Sequence, residues 1–199
     1  PTDGVVAAGS ATISSTASTT TINQTTNRAV INWGSFDIAS GETTSFVQPS
    51  TSAVALNRVV NNTQASVING NLTANGHVFV VNPNGILIGP NGNVDVAGFV
   101  ATTADIANDH FMNSTGAMNF DKAGSLDGVV ENQGHITVGE AGLSAFVAPT
   151  VRNSGMIEGN LARIQMGAAD TFGVDFYGDG LIHLAVSEQH RTDGGTLLA

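Results

Sequence analysis

The amino-acid sequence predicts an all-β fold and, within that class, a right-handed parallel β-helix, or β-solenoid. Three observations favour it. Apolar residues alternate with polar ones, turn-forming dipeptides recur at short intervals, and one motif repeats after 21 residues. Only one short stretch has helical character, so strands are expected to build the body.

Alternation is clearest near the C-terminal end of the chain. Ala162, Ile164 and Met166 alternate with polar residues there, which places them on one face of an extended segment. A period of two is typical of a half-buried strand. The denser apolar run at residues 77–81 predicts a more deeply buried strand.

The corners between strands are marked by dipeptides that tolerate left-handed backbone. Between residues 69 and 180 six of them occur, more than a single hairpin sheet would use: Asn69-Gly70, Asn75-Gly76, Asn84-Gly85, Asn91-Gly92, Asp127-Gly128 and Asp179-Gly180.

The internal repeat relates residues 132–136 (NQGHI) to residues 153–157 (NSGMI). A further echo at residues 92–94 lies 42 residues before residues 134–136, which we interpret as two steps of the repeat. A repeat of this length fits a coil of three short strands and three corners, each coil buried against its neighbours. Asn at equivalent corners either forms a hydrogen-bonded ladder or simply suits the turns.

The whole chain, residues 1–199, is interpreted as one domain. Residues 1–30, of which 11–27 are rich in Thr and Ser, are expected to cap the β-helix, because an open solenoid end exposes unpaired strand edges. Residues 31–199 are assigned to the β-helix, with an excursion near 104–128. A short helix at residues 108–112 is placed on that excursion, with Asn108 as its N-cap.

Composition excludes several classes of partner and site. The net charge of −10, with only six basic residues, disfavours nucleic acid and anionic lipid as primary partners. No apolar run is long enough for a transmembrane helix, so an integral membrane protein is not expected. There is no cysteine, which excludes a disulfide framework and thiolate metal sites.

The sequence offers little that resembles a catalytic centre. The five His residues are scattered without metal-ligand spacing. Polysaccharide-cleaving enzymes need two opposed carboxylates, which Asp105 with Asp109, or Asp170 with Asp175 and Asp179, would have to supply. The last two also hint weakly at calcium, without a full loop of ligands. We interpret these acids as exposed surface and expect no enzyme activity, no metal and no cofactor.

One ordered set of motifs resembles a known family. Residues 82–86 read Asn82, Pro83, Asn84, Gly85 and Ile86 (NPNGI), preceded by ALNRV, which contains Asn57 and Arg58. With INWGSFDI at 31–38 and ATTADI at 101–106, this set is similar to the two-partner secretion domain of filamentous haemagglutinin-type exoproteins. A second motif of many members, NPNL, is missing, which leaves the subfamily open.

The resemblance implies a β-helix with an N-terminal cap and extra-helical strands. It also implies Sec export to the periplasm of a Gram-negative bacterium, followed by recognition by the periplasmic POTRA domains of an outer-membrane β-barrel transporter. A secreted or cell-surface exoprotein then follows through the pore, as an adhesin, haemolysin or contact-dependent toxin. The domain itself is expected to be a monomer.

The NPNGI residues, with Asn57 and Arg58, are the candidate partner-binding residues. Pro83 fixes φ and Asn84-Gly85 is a tight-turn dipeptide, so the motif either only turns the chain or also contacts the transporter, for instance by β-augmentation at a nearby edge. Two alternative functions remain open at this point. One is an adhesive module that binds host glycan or protein, and the other is a polysaccharide-active enzyme.

Overall fold

The computed structural model describes residues 1–175 and, for the backbone alone, residues 182–185. It is an all-β solenoid built from three sheets. The strands of sheet 1, in spatial order, are β1 (Val5–Ala8), β4 (Arg28–Trp33), β6 (Val54–Val59), β9 (His77–Val81), β12 (Gly98–Thr102), β16 (Leu143–Ala148) and β19 (Arg163–Ala168).

The other two sheets supply the remaining strands of the coils, seven in sheet 2 and four in sheet 3. The strands of sheet 2 are β2 (Ala11–Ser15), β3 (Thr19–Gln24), β5 (Thr43–Val47), β8 (Asn71–Ala74), β11 (Asn93–Val96), β15 (His135–Val138) and β18 (Met156–Glu158). Those of sheet 3 are β7 (Ser66–Ile68), β10 (Ile86–Ile88), β14 (Val129–Asn132) and β17 (Thr150–Asn153). Pairing is parallel within each sheet except where β1 joins β4 and β2 joins β3. The two antiparallel strands therefore cover the first coil at the N-terminal end.

The 21-residue repeat is confirmed by the register. Asn132 of β14 pairs with Asn153 of β17, and its Nδ2 donates to the Asn153 Oδ1 at 2.8 Å. At this corner Asn therefore does form a ladder between coils. The interpretation of the echo at residues 92–94 as two steps of the repeat is wrong, because Asn93 pairs directly with His135. The two belong to adjacent coils, and the extra residues between them form an excursion rather than another coil.

The excursion carries helix α1 (Asn108–Asn113) and strand β13 (Met118–Phe120). β13 joins β20 (Thr171–Val174) and β21 (Ile182–Ala185) in an antiparallel sheet outside the solenoid. The expected helix is confirmed, but its N-cap is Ala107, which makes no side-chain cap hydrogen bond. Asn108 is the first helical residue, and its side chain accepts a hydrogen bond from Arg58 instead.

Two apolar cores lie on opposite faces of sheet 1. The interior of the solenoid holds residues such as Ile31, Trp33 and Val80. The outer face of the sheet holds Val30 and Phe79, which pack under the excursion and the extra-helical sheet. Both faces of β9 are therefore buried, which explains its dense apolar run at residues 77–81.

The last described coil departs from the expected half-buried pattern. Met166 pairs with Phe146, an interior residue, and so faces the same side of sheet 1. Yet Met166 is 46% exposed and Ile164 is 43% exposed, because β17, β18 and β19 are the terminal strands of their sheets in the described part of the chain. No helix among the described residues is long and apolar enough to cross a membrane.

Candidate functional site: the NPNGI corner

The NPNGI residues form the corner between β9 and β10. The Gly85 N–H donates to the Asn82 carbonyl at 3.0 Å, which closes a tight turn. Gly85 has φ +116°, and a Cβ there would lie 2.6 Å from the Val129 carbonyl oxygen of the next coil. Both the backbone conformation and the close approach therefore require glycine.

The Asn82 side chain is fully buried. Its Nδ2 donates to the Gln64 carbonyl and to Ser66 Oγ, both at 3.0 Å, and its Oδ1 accepts from the Asn84 backbone N–H at 3.0 Å. Every polar atom of this amide is thus bonded within the chain. In the folded domain Asn82 does not reach the surface, and only Pro83 and Asn84 of the motif are partly exposed.

The other motif residues connect the corner to its neighbours. The Asn84 Nδ2 donates to the Asn62 carbonyl at 2.9 Å, and the Pro83 carbonyl accepts from the Ser125 N–H at 2.9 Å. Ile86 is buried and pairs with Ser66 on one side and Val130 on the other. The corner is bonded to the corners below and above it.

Asn57 lies in the solenoid interior and is fully buried. Its Oδ1 accepts from the Trp33 indole N–H at 3.0 Å, and its Nδ2 donates to the Phe79 carbonyl at 3.3 Å. A buried indole N–H and a buried amide thereby satisfy one another. Trp33 is 1% exposed and lies in the core.

Arg58 holds the excursion against sheet 1. Its Nε donates to Asp105 Oδ1 at 2.7 Å, and its other nitrogens donate to Asn108 Oδ1 at 2.8 Å and to the Ile106 carbonyl at 2.6 Å. The side chain is 12% exposed. Arg58 pairs in register with Val81, one residue before Asn82, but it points to the outer face of the sheet with Leu56. Strand pairing therefore places Arg58 next to the NPNGI corner, but the Arg58 side chain binds the excursion, whereas the Asn82 side chain binds the preceding corner.

A second arginine that the sequence analysis did not select has a similar role. The Arg28 guanidinium donates to the Phe111 carbonyl and, at 2.6 Å, to the Ser114 carbonyl, while lying 5.9 Å from the centre of the Phe111 ring. It therefore binds the C-terminal end of α1, where a cation is favourable. No local pattern identifies this pair, because 83 residues separate Arg28 from Phe111.

Comparison with known proteins decides the family. The family model described as "TPS secretion domain" matches residues 1–196, nearly the whole chain. This chain belongs to the TPS, or two-partner secretion, domain family. The resemblance found in the NPNGI set is thereby confirmed.

Solved and curated relatives agree with this assignment. The structure described as the HMW1 secretion domain from Haemophilus influenzae superposes with a TM-score of 0.79 at 30% identity, covering 94% of this chain and 48% of that one. Two proteins named heme/hemopexin-binding protein, from Haemophilus influenzae and its strain Rd, are 47% identical over 91 residues and 42% identical over 106 residues. Those matches cover 46% and 53% of this chain but only 10% and 12% of the relatives.

Among the acids that the sequence left open as a catalytic pair, Asp170 was expected at the surface, but it is buried, with 5% exposure. Asp105 is bound to Arg58 and also accepts from the Ile106 N–H at 2.8 Å. Among the described residues no group of three or more His, Cys, Asp or Glu side chains is placed to hold a metal ion. Asp179, part of the weak calcium pattern, lies outside the described residues. The family is a secretion domain and not an enzyme family.

Proposed function

We propose that this TPS domain is the N-terminal recognition module of a large exoprotein, exported through a cognate outer-membrane β-barrel transporter whose periplasmic POTRA domains bind it. The family match over residues 1–196 is the observation that carries the proposal. The length of the relatives supports the large exoprotein, since the matched region is about a tenth of each of them. The protein then passes through the periplasm of a Gram-negative bacterium and ends secreted or at the cell surface.

The architecture supports a folding-coupled export mechanism. Each strand of the solenoid pairs with the same strand of the adjacent coils, so contacts form between neighbours in a stack. The antiparallel strands β1 and β2 lie at the N-terminal end and provide a first template. A chain emerging N-terminus first would add coils in order, and folding outside the membrane would bias movement outward without ATP.

Within this function the NPNGI residues position other groups. Asn82 is buried and all its polar atoms are hydrogen-bonded. In the folded domain a partner therefore contacts the exposed residues around the corner and not Asn82 itself. Arg58 and Asn57 likewise act through the excursion and the core. The aromatic side chains of Trp33 and Phe36 are buried, which assigns them to the core.

Binding of this domain to the purified periplasmic part of the cognate transporter tests the proposal. Saturable binding of the unfolded chain, lost when the unfolded chain of an unrelated β-solenoid takes its place, is the expected result. Binding to host glycans or host proteins with no binding to the transporter would instead favour an adhesive module.

A further inference from the structure

The outer face of sheet 1 carries an apolar row that runs from coil to coil. Its members pair in register across β4, β6, β9 and β12 and are fully buried: Val30, Leu56, Phe79 and Val100. In the stack alone this row would face solvent, because it lies on the opposite side of the sheet from the solenoid interior. The residues that cover it all follow these four strands in the chain.

Much of this cover is a segment that we call the strap, residues 104–120 of the excursion. The rings of Phe111 and Phe120 both have their centres 6.2 Å from the centre of the Phe79 ring. The strap follows β12 directly and reaches back to β4, three strands away in sheet 1. Since neighbouring strands lie about 4.8 Å apart, it spans about 14 Å of the stack.

Two arginines hold the strap on opposite sides of the apolar row. Arg28 lies two residues before Val30 in β4 and binds two carbonyls at the C-terminal end of α1. Arg58 lies two residues after Leu56 in β6 and binds Asp105 at the start of the strap. The strap therefore crosses the outer face of sheet 1 and is bonded at both sides of the row.

These contacts differ in kind from those of the solenoid. In a solenoid each coil contacts only its neighbours, so coils can form or separate one at a time at an end. The strap instead joins residues that follow β12 to β4 and β6 at once. Separation of a single coil at the N-terminal end then requires that contacts with the strap break as well.

A later strand covers the strap in turn. β20 pairs with β13 of the strap, and the Phe172 ring stacks on the Phe120 ring with the centres 4.5 Å apart and the planes at 6°. β20 follows β19, the last described strand of sheet 1. The order of the chain therefore gives the outer layer two steps, the strap after β12 and β20 after β19.

We propose that the strap closes only after β4, β6, β9 and β12 have stacked, and that Arg28 and Arg58 then prevent these coils from separating one by one. Its role rests on the proposed function, in which the chain emerges N-terminus first and folds outside. Closure of the strap is the step after which the exported part of the chain no longer unfolds readily, so it makes outward movement hard to reverse.

Refolding of the purified full chain from urea tests this order with two probes. Trp33 is the only tryptophan; it is buried in the interior and bonded to Asn57 of β6, so its fluorescence reports the stacking of β4 on β6. The dye ANS binds exposed apolar surface and reports the uncovered row. The Trp33 signal should finish first, with the dye bound transiently and released in a slower phase. A single phase shared by both probes would overturn the inference.

A double variant, Arg28→Met with Arg58→Met, tests the part played by the arginines. It is expected to unfold about tenfold faster and to leave the rate of the Trp33 refolding phase within about twofold of the wild type, because contacts made late in folding mainly affect unfolding. Arg163→Met is the matched control, since Arg163 is exposed in β19 and far from the strap in the chain. Both of its rates should equal those of the wild type.

A further variant decides the matter if the double variant does not fold. Phe172→Leu loosens the cover of the strap without changing either arginine, and it should also speed unfolding while leaving the Trp33 phase unchanged. An unchanged unfolding rate, or a slowed Trp33 phase, in the variants that fold would overturn the inference. These measurements involve no transporter, so that result would leave the proposed function standing, whereas failure of the wild-type chain to bind the transporter would overturn the proposed function alone.

Discussion

Removing the Asn82 side chain is the sharpest perturbation of the corner. Asn82→Ala deletes an amide that makes two hydrogen bonds to the preceding corner, at 3.0 Å each, and two to Asn84, at 3.0 and 3.2 Å. Ser66 Oγ loses its buried donor, and Ser66 is only 1% exposed. The substitution therefore leaves buried polar groups without partners and opens a small cavity.

The size of the effect follows from those groups. A buried polar group left without a partner costs about 1–3 kcal/mol. Water can reach the groups nearest the surface, so we expect a net loss of about 3 kcal/mol in the free energy of unfolding. In a domain of this size each kcal/mol lowers the melting temperature by about 2–4 °C, which gives a fall of about 6–12 °C.

Urea unfolding followed by circular dichroism measures this loss. Asn91→Ala is the matched control, because Asn91 is also the Asn of an Asn-Gly corner but is exposed; its expected change is under about 0.5 kcal/mol. An Asn82→Ala variant as stable as the wild type would refute the structural account of the corner. If that stable variant also failed to be secreted, the Asn82 amide would have to act in recognition directly.

Three further predictions concern the same fold. Gly85→Ala is expected to lower the free energy of unfolding by at least about 2 kcal/mol, measured by thermal unfolding, because the added Cβ clashes and the φ is strained. Gly41→Ala should cost less, because Gly41 has φ +84° but no atom within 4 Å of the added Cβ. Equal losses in the two variants would show that the clash does not contribute. Burial lowers the pKa of His77 to about 4, so the native state resists protonation and stability falls as pH drops below about 6.5, by about 2 kcal/mol between pH 7 and pH 5. Comparing urea midpoints of the wild type with those of His77→Gln isolates this effect, and identical pH profiles would contradict it. Arg58→Leu leaves the partly buried Asp105 carboxylate without its cation, so limited proteolysis should cut residues 104–128 several times faster than in the wild type. An unchanged cleavage rate would mean that apolar packing on the outer face of sheet 1 alone holds the excursion.

Much of the fold follows from local patterns in the sequence. The repeat of residues 132–136 at 153–157 predicted the stacking of Asn132 on Asn153, because identical corners in adjacent coils place like residues in register. The same reasoning misread the echo at residues 92–94, since a spacing in sequence does not distinguish a coil from an excursion. Here β11 and β15 are adjacent, and the residues between them include a helix and a strand outside the solenoid.

The contacts that organise the candidate site could not be predicted from local sequence patterns. Arg58 of β6 meets Asp105 of the excursion across 47 residues, and Asn82 meets Gln64 of the preceding corner across 18. Only the folded stack brings these residues together. His77 is only partly exposed, because it lies between Val54 and Gly98 of the adjacent strands, and the run at residues 77–81 alone does not identify these neighbours. The sequence marks the NPNGI corner as a candidate site, and the structure shows that this corner is hydrogen-bonded to the corners on either side of it.

The central claim is that this TPS domain directs export through a dedicated transporter. The most direct test expresses the chain behind a Sec signal in a Gram-negative host, with and without the cognate transporter, and measures the fraction of folded domain in the culture medium. Export of folded domain that depends on the transporter is the predicted result. Equal amounts in the medium with and without the transporter, or retention in the periplasm in both cases, would contradict the account.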